Sequence, residues 1–410
     1  MVEPDEGGMR LQRAEFAREP DPGVAPTDPS FEAYSDTVMM YPGWDPDANI
    51  EAQRGVGTYR PENFFAGPED HSGVRIAYHL QRWITDGGSP NDAHADGLQR
   101  DADNRAQNTH TFVGREEHNA GGVAGGGRRI YYVGQGGYVA SGELPFATDT
   151  ALPIETSIEY DFQRFMVFVV DQPSASTTLY AKSTDAADTS QTLTIEDEGA
   201  GTTEDVNLNG TTAQQTTASF GDIDALWLDA ECEGTVEVYD GDPSGSANKL
   251  AEIGGAGDYD QGEGDLGIPA LGSGSHAGSV GSSFEHFIDD TIEATTGTLG
   301  GTNARVVSST FSYDNGTDAD TVGGRFRDVY MGEQTLTLEA DVFGPEANAQ
   351  EIRHHLQNSG IDVTWTADAG TLELLAGTRT SGGEADKEAS QGRATISPSY
   401  EFSDLNITEA

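Results

Sequence analysis

The chain has 410 residues and a formal net charge of −48, from 70 Asp plus Glu against 22 Lys plus Arg, with Lys182, Lys249 and Lys387 its only lysines. Such a length suffices for two or three domains and a sizeable core, and such a charge excludes a protein that grips nucleic acid by neutralising phosphates. One cysteine, Cys232, excludes an intrachain disulfide framework and a Cys-rich zinc site.

In dilute buffer this many carboxylates would drive a compact fold apart. In molar salt the Debye length falls to about 3 Å and the repulsion is largely screened. The balance is that of a protein from an extreme halophile, or from something that multiplies in one. It also makes carboxylates the default surface, so a cluster of them is weak grounds for a site. The opening "MVEPDEGGMRLQRAEF" lacks the apolar core of a signal peptide. The strongest apolar run, "FMVFVV" at 165–170, is too short to span a bilayer. A soluble protein is expected.

Residues 1–70 are rich in Pro, Gly and acids, yet carry Phe31, Tyr34, Tyr41, Trp44, Tyr59, Phe64 and Phe65. Without periodicity, and too aromatic for a disordered tail, they are expected to form an extended arm that lays its rings on a neighbouring subunit. Tyr34, Tyr41, Trp44, Phe64 and Phe65 are the interface candidates. Next, "HSGVRIAYHLQRWITDGG" spaces Ile76, Ala77, Leu80, Trp83 and Ile84 as a helix would, between Ser72 and Gly87–Gly88, so a helix is predicted near 73–85. Polar, acidic residues 86–109 are expected to be loop.

From about 110 the pattern turns to strands. "RRIYYVGQGGYVASGELPF" and "IETSIEYDFQRFMVFVV" are aromatic and β-branched between Gly and Pro. Residues 176–253 hold short alternating segments, "TTLYAKS", "TLTIEDE", "EDVNLNG", "ALWLDAE" and "GTVEVYD", evenly spaced as in a small sandwich. A glycine-rich stretch at 254–282 is expected to be a long loop. In "VVSSTFSY", Val307, Ser309, Phe311 and Tyr313 fall on one face, and Leu336, Leu338, Ala340 and Val342 do the same in "QTLTLEADV", as antiparallel strands with one dry face require. "GPEANAQEIRHHLQNSG" predicts a helix near 346–359, with Pro345 before it, Gly360 after it and Ala349, Ile352 and Leu356 as its stripe. "IDVTWTADAGTLELL" and "RATISPSYEF" complete the sheet.

Motifs that could carry chemistry are few. "GEGDLG" at 262–267 has the spacing of a dinucleotide loop but neither follows a strand nor opens a helix. "DGDPSG" at 240–245 opens like a calcium loop, yet its twelfth position is Ala251, so it is taken as a hairpin turn, with weak Ca²⁺ or Na⁺ binding left open. His354 and His355 diverge by about 100° on a helix and cannot share a metal. His110 and His118 flank "TFVGREE" without a third ligand that stands out from the acidic background. Cys232, placed by alternation with Leu226, Leu228 and Ala230, is expected to be a small buried residue. "DNGT" at 314–317 predicts a hairpin turn on Asn315–Gly316, with Asp314, Asp318 and Asp320 as solvated surface. Asn209, Asn315 and Asn406 head N-x-[ST] sequons. No nucleophile with a partnering base is recognisable, and neither an enzyme nor a resident cofactor or metal is expected.

Several segments resemble the major tail tube proteins of tailed viruses: "ASGELPFATDTALP" from Ala140, "STFSYDNGTDA", "GRFRDVYMGEQTLTLEADVFG", the flanking helix and "ISPSYEFSD". The likeness covers roughly 110–172 and 284–410. Residues 176–253, with "TEDVNLNGTTAQQTTASFGDIDALWL", resemble the Ig-like modules inserted in phage structural proteins. This implies a mainly β fold: a tail-tube β-sandwich or barrel with a packed helix, in two parts at 71–175 and 254–410, interrupted by an Ig-like sandwich at 176–253 that projects outward. It implies a virion protein, made in the host cytoplasm, that forms rings, usually six-fold, stacked into a conduit. The partners implied are other copies of itself, other tail proteins, and a tape measure protein and genome passing through the lumen, with no membrane and no sequence-specific nucleic-acid binding. Acidic walls would repel the genome rather than grip it. The rival readings are a capsid, turret or baseplate protein and a cell-surface glycan-binding β protein. Against the last stands the lack of an obvious aromatic sugar platform.

Overall fold

The computed structural model describes residues 9–11, 13–23, 32–34, 38–41, 50–53, 63–66, 73–79, 93–98, 108–118, 127–147, 155–197, 199–254, 267–269, 292–293, 305–322, 326–343, 361–367, 370–381, 386–387, 394–397 and 399–409. It is mainly β, and the pairings named below are antiparallel.

The strand Arg128–Ala147 organises the main body. Its first half pairs with His110–His118 on one side and Arg164–Asp171 on the other. Its second half pairs with Glu155–Asp161 and Arg305–Asp314. Between the halves lie Gly134, Gly136 and Gly137, and a Cβ at Gly137 would stand 2.4 Å from the Phe162 ring. The missing side chain lets that ring close on the backbone where the strand passes from one set of partners to the other. The buried carboxylate of Glu19 braces the same point, accepting the Gly136 amide at 2.9 Å and the Thr111 hydroxyl at 2.8 Å. Strand Gly370–Ser381 changes partners too, from Asp404–Glu409 to Ser399–Phe402. The change falls at Ala376, whose φ of 54° is left-handed.

One apolar core, with Phe112, Tyr132, Phe162, Leu144, Phe311 and Leu338 among its members, lies within this body. A second runs from Val113, Tyr131, Met166 and Phe168, on the opposite face of the strands that carry them, into the inserted sandwich at Leu179 and Leu226. That sandwich has two four-stranded sheets. One orders Gln214–Phe220, Thr177–Ser183, Val236–Tyr239 and Lys249–Ile253; the other orders Thr202–Asn207, Thr192–Asp197, Ala225–Leu228 and Gly267–Ile268. The module therefore reaches beyond 253: Ile268 is fully buried and pairs with Leu226, inside the stretch expected to be loop. Its core is continuous with the body, so it is packed against the sheet rather than merely tethered.

Several expectations need correction. Val74–His79 is a strand between Val38–Tyr41 and Glu155–Asp161, not the start of a helix. Val74, Ile76 and Tyr78 are buried while Arg75 is exposed, so pairing on both edges overrides the helical spacing; Leu80, Trp83 and Ile84 lie outside the described residues. Within 86–109, Ala93–Leu98 is a short helix. His, Asp and Gly are poor helix formers, and side-chain contacts to the interior hold this turn. Nor are residues 1–70 simply an extended arm. Met9–Leu11 pairs with Val38–Tyr41, and Arg13–Arg18 pairs with His110–His118, so those segments complete the chain's own sheets. The predicted helix at 346–359 lies outside the described residues.

The turn at "DNGT" is also not that of a hairpin. Arg305–Asp314 pairs with Thr335–Phe343, whereas Asp318–Val322 pairs with Phe326–Tyr330 in a separate ribbon. Asn315–Gly316 turns the corner between them, with Gly316 at φ 56° and its amide donating to Asp314 Oδ1 at 2.7 Å. "DGDPSG" does lie in a connection between paired strands, Val236–Tyr239 and Lys249–Ile253.

Candidate functional site

The helix Ala93–Leu98 covers a chain of buried polar side chains that draws on widely separated strands. Tyr34 donates its hydroxyl to Tyr160 at 2.8 Å, and Tyr160 lies 2.9 Å from His110 Nδ1. His110 Nε2 lies 2.8 Å from Asp96 Oδ2. Arg18 donates to both oxygens of Asp96, at 2.7 and 2.6 Å, and Asn108 donates to Oδ1 at 2.9 Å. With Tyr34 donating to it, Tyr160 directs its own proton to His110 Nδ1, and Nε2–H of His110 faces the carboxylate. Every link then runs toward Asp96. Burial pushes the Asp96 carboxyl up, but the hydrogen bond from His110, with the Arg18 and Asn108 donors, outweighs it and holds the pKa below the usual range. Burial raises Tyr160 well above the ordinary tyrosine value.

A second arm starts from His94, fully buried on the same helix. Its Nε2 lies 2.8 Å from Thr156 Oγ1 and its Nδ1 2.9 Å from the Tyr313 hydroxyl. Thr156 spends its proton on the Glu143 carbonyl at 2.5 Å, so it accepts from His94. The ring is thus neutral, with its proton on Nε2 and Nδ1 accepting from Tyr313. Burial lowers its pKa to about 3. Asn315, also fully buried, donates to the carbonyls of Gly97 and Val139 at 2.9 and 2.7 Å. Together these bonds tie the helix to the strands around it. The cluster has the residue types of an acid–base relay, but its protons are committed internally and its rings are buried. It acts as a clasp.

A second clasp fixes the inserted module. Asp224 Oδ1 accepts from Arg115 at 3.0 Å and Arg129 at 2.8 Å. Beside it, Gln172 accepts the Ile223 amide at 2.7 Å and donates to its carbonyl at 3.3 Å. Tyr131 donates to the same carbonyl at 3.0 Å.

The predicted interface residues that the structure describes lie on or beside several different strands. Tyr34 is part of the chain's own core and of the polar relay, and is not available to a neighbour. Tyr41 is half-buried, with the Arg75 guanidinium 5.7 Å from its ring centre. Phe64 and Phe65 lie on Asn63–Ala66, which pairs with Ile50–Gln53 in a separate ribbon. Trp44 lies outside the described residues. Cys232 is buried, with its thiol pushed to about 12 by burial and then by Asp188 and Asp229; Ala230, expected on its face, is exposed. Among the described residues no three His, Cys, Asp or Glu side chains gather as a metal-binding group. His354, His355 and most of "GEGDLG" lie outside them.

The sequence gives no sign of one further grouping. On the outer face of the inserted sandwich, Tyr180 and Tyr239 are register partners on adjacent strands. Tyr239 is in turn the partner of Lys249, and Lys182 of Glu237. The two rings are 59 residues apart in the chain and meet only through sheet register.

Comparison with protein-family models and with curated proteins finds no match to this chain. The mainly β fold and the geometry above are therefore what its function must be argued from.

Proposed function

We propose that this protein is a structural subunit of a virion, a tail tube protein whose copies close into rings and stack into a conduit. The reading rests on one observation. Parts of four of the segments whose pattern resembles tail tube proteins are successive neighbours in one sheet: Ser141–Ala147 pairs with Ser308–Asp314, Ser309–Asp314 with Thr335–Ala340, and Leu336–Glu339 with Ser399–Phe402. A shared pattern spread along the chain thus falls on one contiguous piece of architecture. The closed buried relay suits a scaffold better than a catalyst.

Since Met9–Leu11, Arg13–Arg18 and Val38–Tyr41 complete the chain's own sheets, ring contacts draw on other surfaces, the separate ribbon that carries Phe64 and Phe65 among them. Val167 and Val169, 45% and 48% exposed on strand Arg164–Asp171, are apolar candidates. Heterologous contacts that close give the ring, and a second head-to-tail set stacks it. Negative-stain microscopy and sedimentation in molar NaCl test this. Rings or cylinders of uniform width are expected; a stable monomer at all concentrations, or closed shells, would overturn it.

A further inference from the structure

We propose that the helix Ala93–Leu98 is an acid-released clasp, which lifts from the main body in acid and returns at neutral pH while the sheets beneath it stay intact. Its six residues are too few to hold a helix together in water, so its shape depends on what it is docked against. That docking is largely polar. His94 meets the Thr156 and Tyr313 hydroxyls, and Asp96 is hydrogen-bonded to His110, Arg18 and Asn108. The Gly97 carbonyl accepts from Asn315 at 2.9 Å and from Gln334 at 3.3 Å. The contact is also close. A Cβ on Gly97 would stand 2.7 Å from Val139 Cγ1 and 2.8 Å from the Tyr313 hydroxyl. Packing this tight leaves no room to slide, so helix and strands separate as units rather than deform.

His94 is the trigger. It is fully buried, and both its ring nitrogens face neutral hydroxyls. The titratable groups that face it from the strands are phenols: Tyr313 on Arg305–Asp314 and Tyr78 on Val74–His79, with ring centres 5.8 and 6.0 Å away. Neither phenol bears charge in acid. On the helix itself, Asp96 is engaged with His110, Arg18 and Asn108. A proton on the imidazole is therefore better held in water than under the helix, and burial lowers the pKa from 6.5 to about 3. Between those values the lifted helix binds a proton that the docked helix does not. The ratio of lifted to docked then rises by up to about tenfold for each pH unit of acidification, and it is insensitive to pH above that window. Asp96, whose pKa is lowered in the folded chain, pushes the same way at lower pH.

The release is local because of what the helix leaves behind. The Thr156, Tyr160 and Tyr313 hydroxyls, the His110 ring and the Asn315 amide are polar groups that water can satisfy in its place. The strands that carry them keep their own ladders, since Arg128–Ala147 pairs with His110–His118, Glu155–Asp161 and Arg305–Asp314. The clasp belongs to the single chain and does not depend on ring assembly.

Hydrogen–deuterium exchange of the full chain in molar NaCl, read by mass spectrometry as protection factors corrected for the intrinsic effect of pH, tests the proposal. Peptides covering Ala93–Leu98 should lose about a hundredfold in protection from pH 6.5 to about pH 4.5 and regain it on return to neutral pH. Peptides from Arg128–Ala147 and Arg305–Asp314 should keep theirs. His94→Gln, which retains a donor for Thr156, should flatten the profile. Tyr313→Phe, which removes one hydrogen bond but no titration, should lower protection at every pH and leave the slope unchanged. Should a variant fail to fold, the parent's profile decides alone. Protection that ignores pH, simultaneous loss across all peptides, or a His94→Gln profile as steep as the parent's would sink the idea.

Discussion

His110 Nε2 lies 2.8 Å from Asp96 Oδ2 in the interior of the main body, and Arg18, a quarter exposed, closes on the same carboxylate from the second strand of the chain. Removing one partner of a buried pair leaves a charge without its complement, at a cost of about 3–5 kcal/mol. Asp96→Ala should therefore lower unfolding stability by that order. Arg18→Ala should cost less, because water reaches the vacated side. Denaturant titration in molar NaCl measures both; equal small losses would show that the clasp does not hold the helix.

Acid should weaken the fold through His94. Its pKa falls from 6.5 to about 3 in the folded state, so between those values the unfolded chain binds a proton that the folded chain does not. Stability then falls as pH drops through that window, by up to about 1.4 kcal/mol per pH unit. Asp96 adds to this at lower pH: its depressed pKa gives stability that is present above the unfolded value and lost as pH falls through the folded one. His94→Gln keeps a donor for Thr156 and removes the titration. Its unfolding free energy should lose most of its slope from pH 6.5 down to the range where Asp96 contributes, whereas an unchanged slope there would assign the acid response elsewhere.

Alternation exposed most of the sheet in advance. Phe311, Tyr313, Leu336 and Leu338 are buried as their spacing requires, and Leu193 and Ile195 show the same signal in the insert. What stayed hidden depends on pairing across long separations. Val74–His79 looked helical because Ile76 and Ala77 fit either period, and only its neighbours on both edges decide for a strand. Tyr34 looked like an interface ring because nothing near it in sequence announces Tyr160, 126 residues away. The relay escaped notice for the same reason. His94 and Asp96 stood in a polar stretch indistinguishable from acidic surface, and their partners come from the strands that carry Tyr160, His110 and Tyr313.

The junction of insert and body should loosen when Asp224 is changed. Its side chain is 8% exposed and takes hydrogen bonds from two arginines that are 17% and 12% exposed. Charged hydrogen bonds of this kind contribute about 1.5–3 kcal/mol. Asp224→Ala should lose that much, and Asp224→Asn less. Hydrogen exchange locates the effect: the Ile223 amide, bonded to Gln172 Oε1, should lose protection while amides such as Leu193, inside the sandwich, keep theirs. Uniform loss across the module would mean that Asp224 supports the sandwich itself rather than its docking.

Asn315 should stay unmodified even in a host that glycosylates its sequon. The side chain is fully buried and its amide nitrogen already donates to Gly97 and Val139, while Asn209 and Asn406 are exposed. Glycans, where present, belong on those two positions, and peptide mass mapping of protein from its native host checks it. Asn315→Ala would leave the carbonyls of Gly97 and Val139 without this donor, and Gln334 Nε2 without the oxygen it meets at 2.8 Å. Such losses in the interior cost about 2 kcal/mol or more, so the variant should melt lower by calorimetry. A glycopeptide carrying Asn315, or a variant as stable as the parent, would show that the corner between the sheet and its side ribbon is open to solvent.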